Sequence, residues 1–151
     1  MPHIHDRIDY TVEVFIVHKD TILLHQHKKL NKWLSIGGHV ELDEDPEVAC
    51  HREVKEEMGL EIELVPERET KKFNTSHELP QPFAVNRNPI TDTHDHITFV
   101  YFARTNTDQV TPEEGITEWK WFAKEDLEEN GDGVPDDIRY YALKALDVLS
   151  S

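Results

Sequence analysis

The chain has 151 residues, of which 31 are Asp or Glu and 16 are Lys or Arg, so its formal net charge is −15. This excess of acid excludes non-specific binding to DNA or RNA, whose phosphates would be repelled. An anionic small molecule could bind only where a metal ion or a basic patch locally reverses the sign. The length is typical of one domain, and we expect a single domain over residues 1–151.

Apolar runs are far shorter than a bilayer span, so we expect no membrane partner. The first six residues lack the basic stretch and apolar core of a secretory signal. The one cysteine, Cys50, cannot form an internal disulfide, and we interpret it as a small buried residue. Together these features favour a cytoplasmic protein.

Extended segments dominate the first quarter of the chain. Residues 9–17 are rich in β-branched and aromatic side chains and predict a strand, and residues 21–27 predict a second one. Residues 33–40 predict a third extended piece, which we expect to be interrupted by the Gly37-Gly38 pair.

A helix is predicted next, over residues 46–58. Acidic residues at 43–45 precede it, Pro46 suits a first turn, and Gly59 is a typical end signal. Residues 60–65 then predict a strand.

The second half of the chain contains a long irregular region followed by clear periodic segments. Residues 74–96 hold three prolines and show no period, so we predict mainly a loop of the kind that often binds ligands. Residues 97–104 predict the strongest strand and residues 117–122 a further one. Residues 137–149 predict a closing amphipathic helix. Strands and helices that alternate irregularly favour an α/β sandwich around a mixed sheet.

Three carboxylates of the 46–58 helix share one face, because Glu53, Glu56 and Glu57 stand at helical spacings of three and four. Like charges at this spacing repel one another, and divalent cations such as magnesium would relieve the repulsion. The alternative is a solvated acidic face without a ligand. Cys50, Val54 and Met58 form an adjacent apolar seam that can anchor the helix to the sheet.

The surroundings of these carboxylates favour a metal site over a solvated face. Arg52 stands beside them and could pair with Glu44, which would fix the preceding loop onto the helix. Gly37 and Gly38 offer a flexible backbone where a carbonyl oxygen could approach a metal ion.

Read in order, the segment has Gly38, five residues, Glu44, seven residues, and then Arg52-Glu53-Val54-Lys55-Glu56-Glu57-Met58-Gly59-Leu60. This 23-residue segment resembles the Nudix box at every defining position. The resemblance implies a Nudix-type α/β/α sandwich around a mixed β-sheet. It also implies a hydrolase in which water attacks phosphorus and breaks a phosphoanhydride bond of a nucleoside diphosphate linked to another moiety. Many relatives carry Leu-Pro before the two glycines, where this chain has Ser35-Ile36.

By the same resemblance, Glu53, Glu56 and Glu57 would be ligands of Mg²⁺, for which Mn²⁺ could substitute. The backbone carbonyl of Gly37 or Gly38 would complete the ligand set. Arg52 and Glu44 would orient the ligands from behind. Two or more such ions would neutralise the diphosphate and lower the pKa of the attacking water.

The resemblance leaves the general base open, because family members use different carboxylates. Glu56 or Glu57 could serve, and Glu114 resembles the loop carboxylate of some relatives. The default reading of Glu114 is a solvated turn residue.

Substrate contacts are predicted at three further positions. His27 stands where many relatives carry a phosphate-binding arginine, and Lys28 follows it, although a solvated strand edge is an equal alternative. Alternation places His25 and His27 on one face of the strand and Lys28 on the other. Asp136 lies in a segment similar to one that reads the base in some oxidised-purine triphosphatases, but Pro135-Asp136-Asp137 is equally a routine helix start.

His94-Asp95-His96 suggests a second metal site, but no partner at ligand spacing follows it, so we predict a loop-to-strand junction instead.

Two other functional classes are alternatives to the hydrolase. One is a catalytically idle Nudix domain that senses a nucleotide or a protein, and the other is an acidic interaction module. The intact carboxylate set argues against the first, and the Gly37-Gly38, Arg52 and Glu44 pattern argues against the second. The expected partner is a small nucleotide-type substrate, and the chain could be a monomer or a homodimer.

Overall fold

A computed structural model describes residues 7–65, 69–129 and 133–150. These residues form eight strands and three helices. The strands are β1 (Ile8–His18), β2 (Thr21–His27), β3 (Lys32–Leu34), β4 (Ile36–His39), β5 (Glu63–Val65), β6 (Ala84–Thr91), β7 (His94–Arg104) and β8 (Trp119–Ala123). The helices are α1 (Pro46–Met58), α2 (Lys124–Glu129) and α3 (Asp136–Leu149). Each helix in the described part of the chain is too short or too polar to span a membrane.

All eight strands belong to one mixed sheet with β1 near its centre. Strand β1 runs parallel to β7 from Ile8 opposite Asp95 to Val17 opposite Arg104. It runs antiparallel to β4 and to β2. The long parallel pair brings together segments that are far apart in the sequence.

Side chains of β1 alternate between two hydrophobic cores, as the pleat of a strand requires. Phe15 and Val17 pack in the core that contains the buried face of α3, including Ile138. Val14 and Ile16 pack in the other core, which contains Cys50 and the rest of the buried face of α1. The predicted α/β/α sandwich around a mixed sheet is therefore confirmed, as is the burial of Cys50.

Helix α1 has the bounds that the sequence predicts, because local signals set both of its ends. The Asp45 carboxylate accepts a 2.9 Å hydrogen bond from the N–H of Val48 at the N-terminus. At the other end Gly59 takes a left-handed conformation, with φ of 67°, and its N–H donates to the carbonyl of Lys55. Cys50, Val54 and Met58 are buried and anchor the helix to the sheet as predicted.

The prediction that residues 74–96 are mainly loop is wrong for the second half of that segment. Residues 84–91 form β6, which pairs antiparallel with β7, and β7 itself begins at His94. Most side chains of β6 are exposed or half-buried, so the strand lacks the apolar alternation that would reveal it. Pro89 is tolerated because it lies near an irregularity at the end of the pairing.

Other strand boundaries also differ from the prediction, among them those of β3, β4 and β5. The break between β3 and β4 falls at Ser35, and the glycine pair lies inside β4. Strand β5 starts at Glu63, which shortens the strand predicted over residues 60–65.

Gly37 allows β4 to approach β1 closely. A Cβ atom built on Gly37 would lie 2.0 Å from the carbonyl oxygen of Val12. This neighbour is backbone in the centre of the sheet and cannot move aside. Glycine is therefore needed at position 37 for steric reasons, and not for the backbone flexibility predicted for the Gly37-Gly38 pair.

Replacing Gly37 with Ala is expected to destabilise the fold by about 2 kcal/mol or more, because the added methyl group displaces backbone. Gly38→Ala is the matched control, since its Cβ would meet the Glu53 carboxylate at 2.4 Å and not backbone. Urea unfolding of both variants checks the order. A larger loss of unfolding free energy for Gly38→Ala than for Gly37→Ala would contradict it.

Candidate active site

The three predicted carboxylates lie on the face of α1 next to β4, and they differ in exposure. The Glu53 side chain is 13% exposed, whereas that of Glu56 is 56% exposed. Glu57 is half-buried. The cluster therefore extends from the protein interior to solvent along one helical face.

The Arg52 guanidinium connects this face to the preceding loop and to β4. It donates to both oxygens of Glu44, with distances of 2.6 Å from Nε and 2.8 Å from Nη2. Its Nη1 donates to Glu53 at 2.9 Å and to Glu56 at 3.2 Å. Its Nη2 also donates to the backbone carbonyl of His39 at 3.0 Å. The predicted Arg52–Glu44 pair is present, and the hydrogen bonds from Arg52 lower the pKa of Glu44.

Gly38 faces the Glu53 carboxylate across the gap between β4 and α1. A Cβ on Gly38 would lie 2.4 Å from Glu53 Oε1. Any larger residue at this position would therefore displace a carboxylate of the cluster. The glycine keeps room for that carboxylate beside the strand.

Glu57 carries the most unfavourable charge in the cluster. Burial raises its pKa, and the charge of Glu53, a hydrogen bond with Glu53 and the charge of Glu113 raise it further. A hydrogen bond from the backbone of Gly37 acts in the opposite direction. Glu57 Oε2 is buried and has no hydrogen-bond partner among the described residues. A divalent cation between Glu53 and Glu57 would give this oxygen a partner, so the residues present fit such an ion.

A cavity of about 740 Å³ opens beside the cluster and is walled by residues of both halves of the chain. Glu57, Gly37 and Gly38 are among its lining residues. The rest of the lining comes from β1, from β2 and β3 with the adjoining Ser35, from the β6–β7 pair and from the start of α3; it includes Thr11, Glu13, His25, His27, Lys32, Ser35, Asn88, His96, Thr98 and Asp137. The size is typical of small-molecule sites.

The two basic residues predicted to contact substrate, His27 and Lys28, lie in different surroundings. His27 lines the cavity together with His25, as strand alternation predicts, whereas Lys28 lies in the exposed turn after β2. Lys32, which follows in β3, is the lysine in the cavity wall. Burial lowers the pKa of His25.

The loop after β7 reaches the cluster through Glu113. The Glu113 N–H donates a 2.8 Å hydrogen bond to the carbonyl of Glu57, and Thr111 makes an equivalent contact with Met58. Glu114 follows in the same loop and is exposed. Its predicted role as a base stays a prediction, and the position next to Glu57 belongs to Glu113.

A second acidic group, Glu13, lines the cavity and lies opposite Gly37 in the β1–β4 pairing. Burial and the charge of Asp137 raise the pKa of Glu13 to about 7, while a hydrogen bond with Ser35 acts to lower it. Asp136, for which a substrate contact was predicted, is exposed beside Asp137 and accepts a hydrogen bond from its N–H. The hydroxyl of Ser35 thus reaches the cavity at the position where many relatives carry Leu-Pro.

Sequence reasoning missed Glu13, Asn88 and Asp137 as cavity residues. Glu13 had a usable signal, because a lone acid inside the apolar strand Val-Glu-Val-Phe-Ile is unexpected in a sheet centre. Asn88 had none, since its strand was not recognised. It donates to Asn86 at 2.7 Å and to Thr98 at 3.0 Å, and Thr98 in turn lies 2.7 Å from the hydroxyl of Thr11.

Glu13→Gln is expected to stabilise the metal-free protein above pH 7 by about 2 kcal/mol. A carboxyl with a raised pKa contributes stability only while the folded state holds the proton. That contribution is lost as pH rises from the unfolded value near 4.5 to the folded value of about 7. The amide carries no charge and avoids this loss.

Urea unfolding at pH 4.5 and pH 8 in chelator measures this effect. The variant should match the parent at the lower pH and exceed it at the higher one. Glu128→Gln, at an exposed position of α2, is the control and should show no such divergence. A parallel pH dependence for Glu13→Gln and parent would contradict the assignment.

Known proteins share this fold and site segment. The family model described as NUDIX domain matches residues 8–143. A crystal structure of a NUDIX-family hydrolase from Clostridium perfringens is 38% identical; the match covers 94% of this chain and 98% of that chain, with a TM-score of 0.83.

Two more distant structures share the fold. An Ap4A hydrolase from C. elegans is 20% identical, covering 93% of this chain and 96% of that chain, with a TM-score of 0.66. A MutT NUDIX hydrolase from Burkholderia pseudomallei is 21% identical, covering 96% and 100%, with a TM-score of 0.62. The family match spans most of the chain and includes the whole carboxylate cluster with its Arg52 anchor. The chain therefore belongs to the NUDIX family and is a Nudix pyrophosphohydrolase.

Proposed function

We propose that this chain hydrolyses a phosphoanhydride bond of a nucleotide-type small molecule in a Mg²⁺-dependent reaction. Glu53, Glu56 and Glu57 would hold the ion, with a backbone carbonyl of Gly37 or Gly38. One observation carries the proposal: Glu57 Oε2 is buried without a partner beside a second carboxylate. A divalent cation satisfies this oxygen, whereas a sensor domain has no need for the unpaired charge.

The donor chemistry supports magnesium over a softer metal. The proposed side-chain ligands are all carboxylate oxygens, and hard cations such as Mg²⁺ prefer oxygen. When bound, the ion would neutralise phosphate charge and make water a better nucleophile. In a chain of net charge −15, such a local reversal of sign is what lets a polyphosphate bind.

Arg52 and Glu44 act as positioning residues in this scheme. The bidentate pair, with bonds of 2.6 and 2.8 Å, fixes the guanidinium, which then fixes Glu53 and Glu56. The carboxylates are held before the substrate arrives, so little reorganisation is needed during reaction.

The reaction adds water to phosphorus, breaks the bridging P–O bond and releases two phosphate-bearing products and a proton. A carboxylate must accept the proton of the attacking water. Glu56 and Glu57 in the helix and Glu114 in the loop remain the candidates, and Glu56 is the most exposed ligand of the cluster. On the substrate side, His27 and Lys32 line the cavity and are the proposed donors to phosphate oxygens.

The cavity lining near the start of α3 supports recognition of a nucleobase. Glu13 and Asp137 both line the cavity, and the charge of Asp137 raises the pKa of Glu13, so the two acids are close. Carboxylate oxygens accept hydrogen bonds from the N–H groups of a base edge. A base with several donors would relieve the repulsion between the two acids. We therefore place the base at Glu13 and Asp137 and the phosphates at Glu57.

Glu57→Gln is expected to lower kcat/KM in Mg²⁺ by about a thousandfold or more, because the amide removes a ligand charge and a possible base. The same change removes a buried unpaired charge, so the variant should be at least as stable as the parent in chelator. Glu56→Gln should lose activity to a similar extent. Steady-state kinetics and thermal unfolding measure the two properties on the same samples.

Glu47→Gln removes the same charge from the first turn of α1, away from the cluster, and serves as the control with unchanged kinetics. Unchanged turnover in both Glu56→Gln and Glu57→Gln would rule out the metal assignment. A loss of activity accompanied by an equal loss of folded protein would also count against it.

Asp137→Asn is expected to raise KM by about tenfold with a smaller effect on kcat, because it weakens base binding and not the chemistry. Asp136→Asn is the matched control, since Asp137 lines the cavity and Asp136 does not. The assay uses a panel of nucleoside triphosphates, dinucleotides, ADP-ribose and nucleotide sugars with Mg²⁺ and Mn²⁺. Larger effects in Asp136→Asn would move the base site to that residue. Binding without turnover across the panel would favour the sensor alternative.

A further inference from the structure

Four side chains of types that bind metals lie close together outside the carboxylate cluster, where the parallel β1–β7 pairing begins. His94 and His96 belong to β7, Asp9 to β1 and His39 to β4. In the sheet, Asp9 is opposite His96, and the next β1 residue on that face, Thr11, is opposite His39. The group therefore comes from three neighbouring strands and is assembled only by the fold.

The distances within this group are already close to those of a ligand set. One ligand atom each from Asp9, His94 and His96 lies within 4.8 Å of the other two. Asp9 Oδ2 is 2.9 Å from His94 Nε2 and 3.5 Å from His39 Nε2. In a tetrahedral zinc site with bonds of about 2.0–2.1 Å, adjacent ligand atoms are about 3.3 Å apart. Rotation of the exposed His39 side chain would bring its imidazole to the three atoms that already lie close together.

We propose that Asp9, His39, His94 and His96 form a binding site for a Zn²⁺-type transition cation, separate from the catalytic metal site. Three imidazole nitrogens and one carboxylate oxygen are a ligand set that zinc accepts in tetrahedral geometry. Magnesium does not favour such a set, because it prefers oxygen ligands and retains its water. The two sites thus select different metals by donor type.

The sheet separates this site from the carboxylates of α1. Along β1, Asp9 and Thr11 lie on one face of the sheet and Val12 lies on the other, where it packs in the core beside α1. The four ligands accordingly lie on the face that carries α3, whereas Gly38 faces Glu53 on the other. His39 and His96 nevertheless line the substrate cavity, so a cation held there would add positive charge to its rim.

The site is open to solvent. Asp9 is 46% exposed and His39 57% exposed, which leaves an entry path for a cation. The sequence prediction of a strand junction at His94 is confirmed. No further ligand follows His96 at a typical spacing in the sequence. The additional ligand is Asp9, which stands 85 residues before His94.

The test measures zinc binding to metal-stripped protein in the presence of excess Mg²⁺ by calorimetry. Elemental analysis then measures the zinc that the protein retains after dialysis. We expect one equivalent of Zn²⁺ with micromolar or tighter affinity, and a rise in Tm. Co²⁺ in its place should give the intense visible absorption of a tetrahedral site. The double variant His94→Asn, His96→Asn should lose affinity at least about a hundredfold. Asp9→Asn is the single-ligand variant and should weaken binding while preserving the fold.

Three control variants isolate the site. Glu56→Gln, Glu57→Gln should still bind this zinc, because it changes only the catalytic cluster. His51→Ala, His77→Ala removes two exposed histidines elsewhere and should bind as the parent does. His3→Ala, His5→Ala removes the two further histidines near the start of the sequence and should also bind.

Absence of zinc retention by the parent overturns the proposal. So does retention that survives loss of His94 and His96 in a folded variant, or that disappears with His3 and His5. None of these readouts depends on turnover, so the result is independent of the proposed hydrolase reaction.

Discussion

Carboxylates of one helix face repel one another, and the guanidinium of Arg52 is the group that holds the helix, the loop and the strand of this site together. Two of its hydrogen bonds form a fork on Glu44, and others reach Glu53, Glu56 and the backbone of His39. A planar guanidinium with five donors can make these contacts at once, which a lysine ammonium could not do in fixed geometry. Loss of one member of such a network leaves buried charged groups without partners. The cost of those unpaired groups is the main reason why the network stabilises the fold. The positions of Glu53 and Glu56, two of the proposed metal ligands, therefore depend on one side chain that is not itself a proposed ligand.

The parts of the fold that local chemistry decides could be predicted from the sequence. Helix α1 was predicted with its observed bounds because its cap at Asp45, its first-turn proline and its left-handed Gly59 act within one turn of each end. The carboxylate face followed from spacing alone. Strand β1 was recognised because both of its faces are buried, which enriches it in β-branched residues.

The missed features depend on pairing between distant segments. Strand β6 has no apolar face of its own and is a strand only because β7 provides its hydrogen bonds. Gly37 was expected to provide flexibility, but the reason for glycine is the carbonyl of Val12 on a neighbouring strand. Asp9 and His96 become neighbours through the parallel register of β1 and β7, which spacing within either segment cannot reveal. Sequence periodicity identifies the face on which a residue lies, whereas the strand order decides what it meets.

The charges of the cavity follow from the same sheet geometry. Glu57 and Glu13 both line the cavity and have raised pKa values, and burial is the largest cause for each. Burial of an uncompensated carboxylate opposes folding, so each group lowers stability unless a ligand compensates it. The two groups require different compensation, because Glu57 lies beside a second carboxylate on a helix that Arg52 fixes, while Glu13 lies beside Asp137 and the hydroxyl of Ser35. A cation suits the first and hydrogen-bond donors suit the second. The proposed substrate, with a metal-bound polyphosphate and an N–H-bearing ring, would satisfy both groups, and its binding would restore the stability that the two buried acids cost.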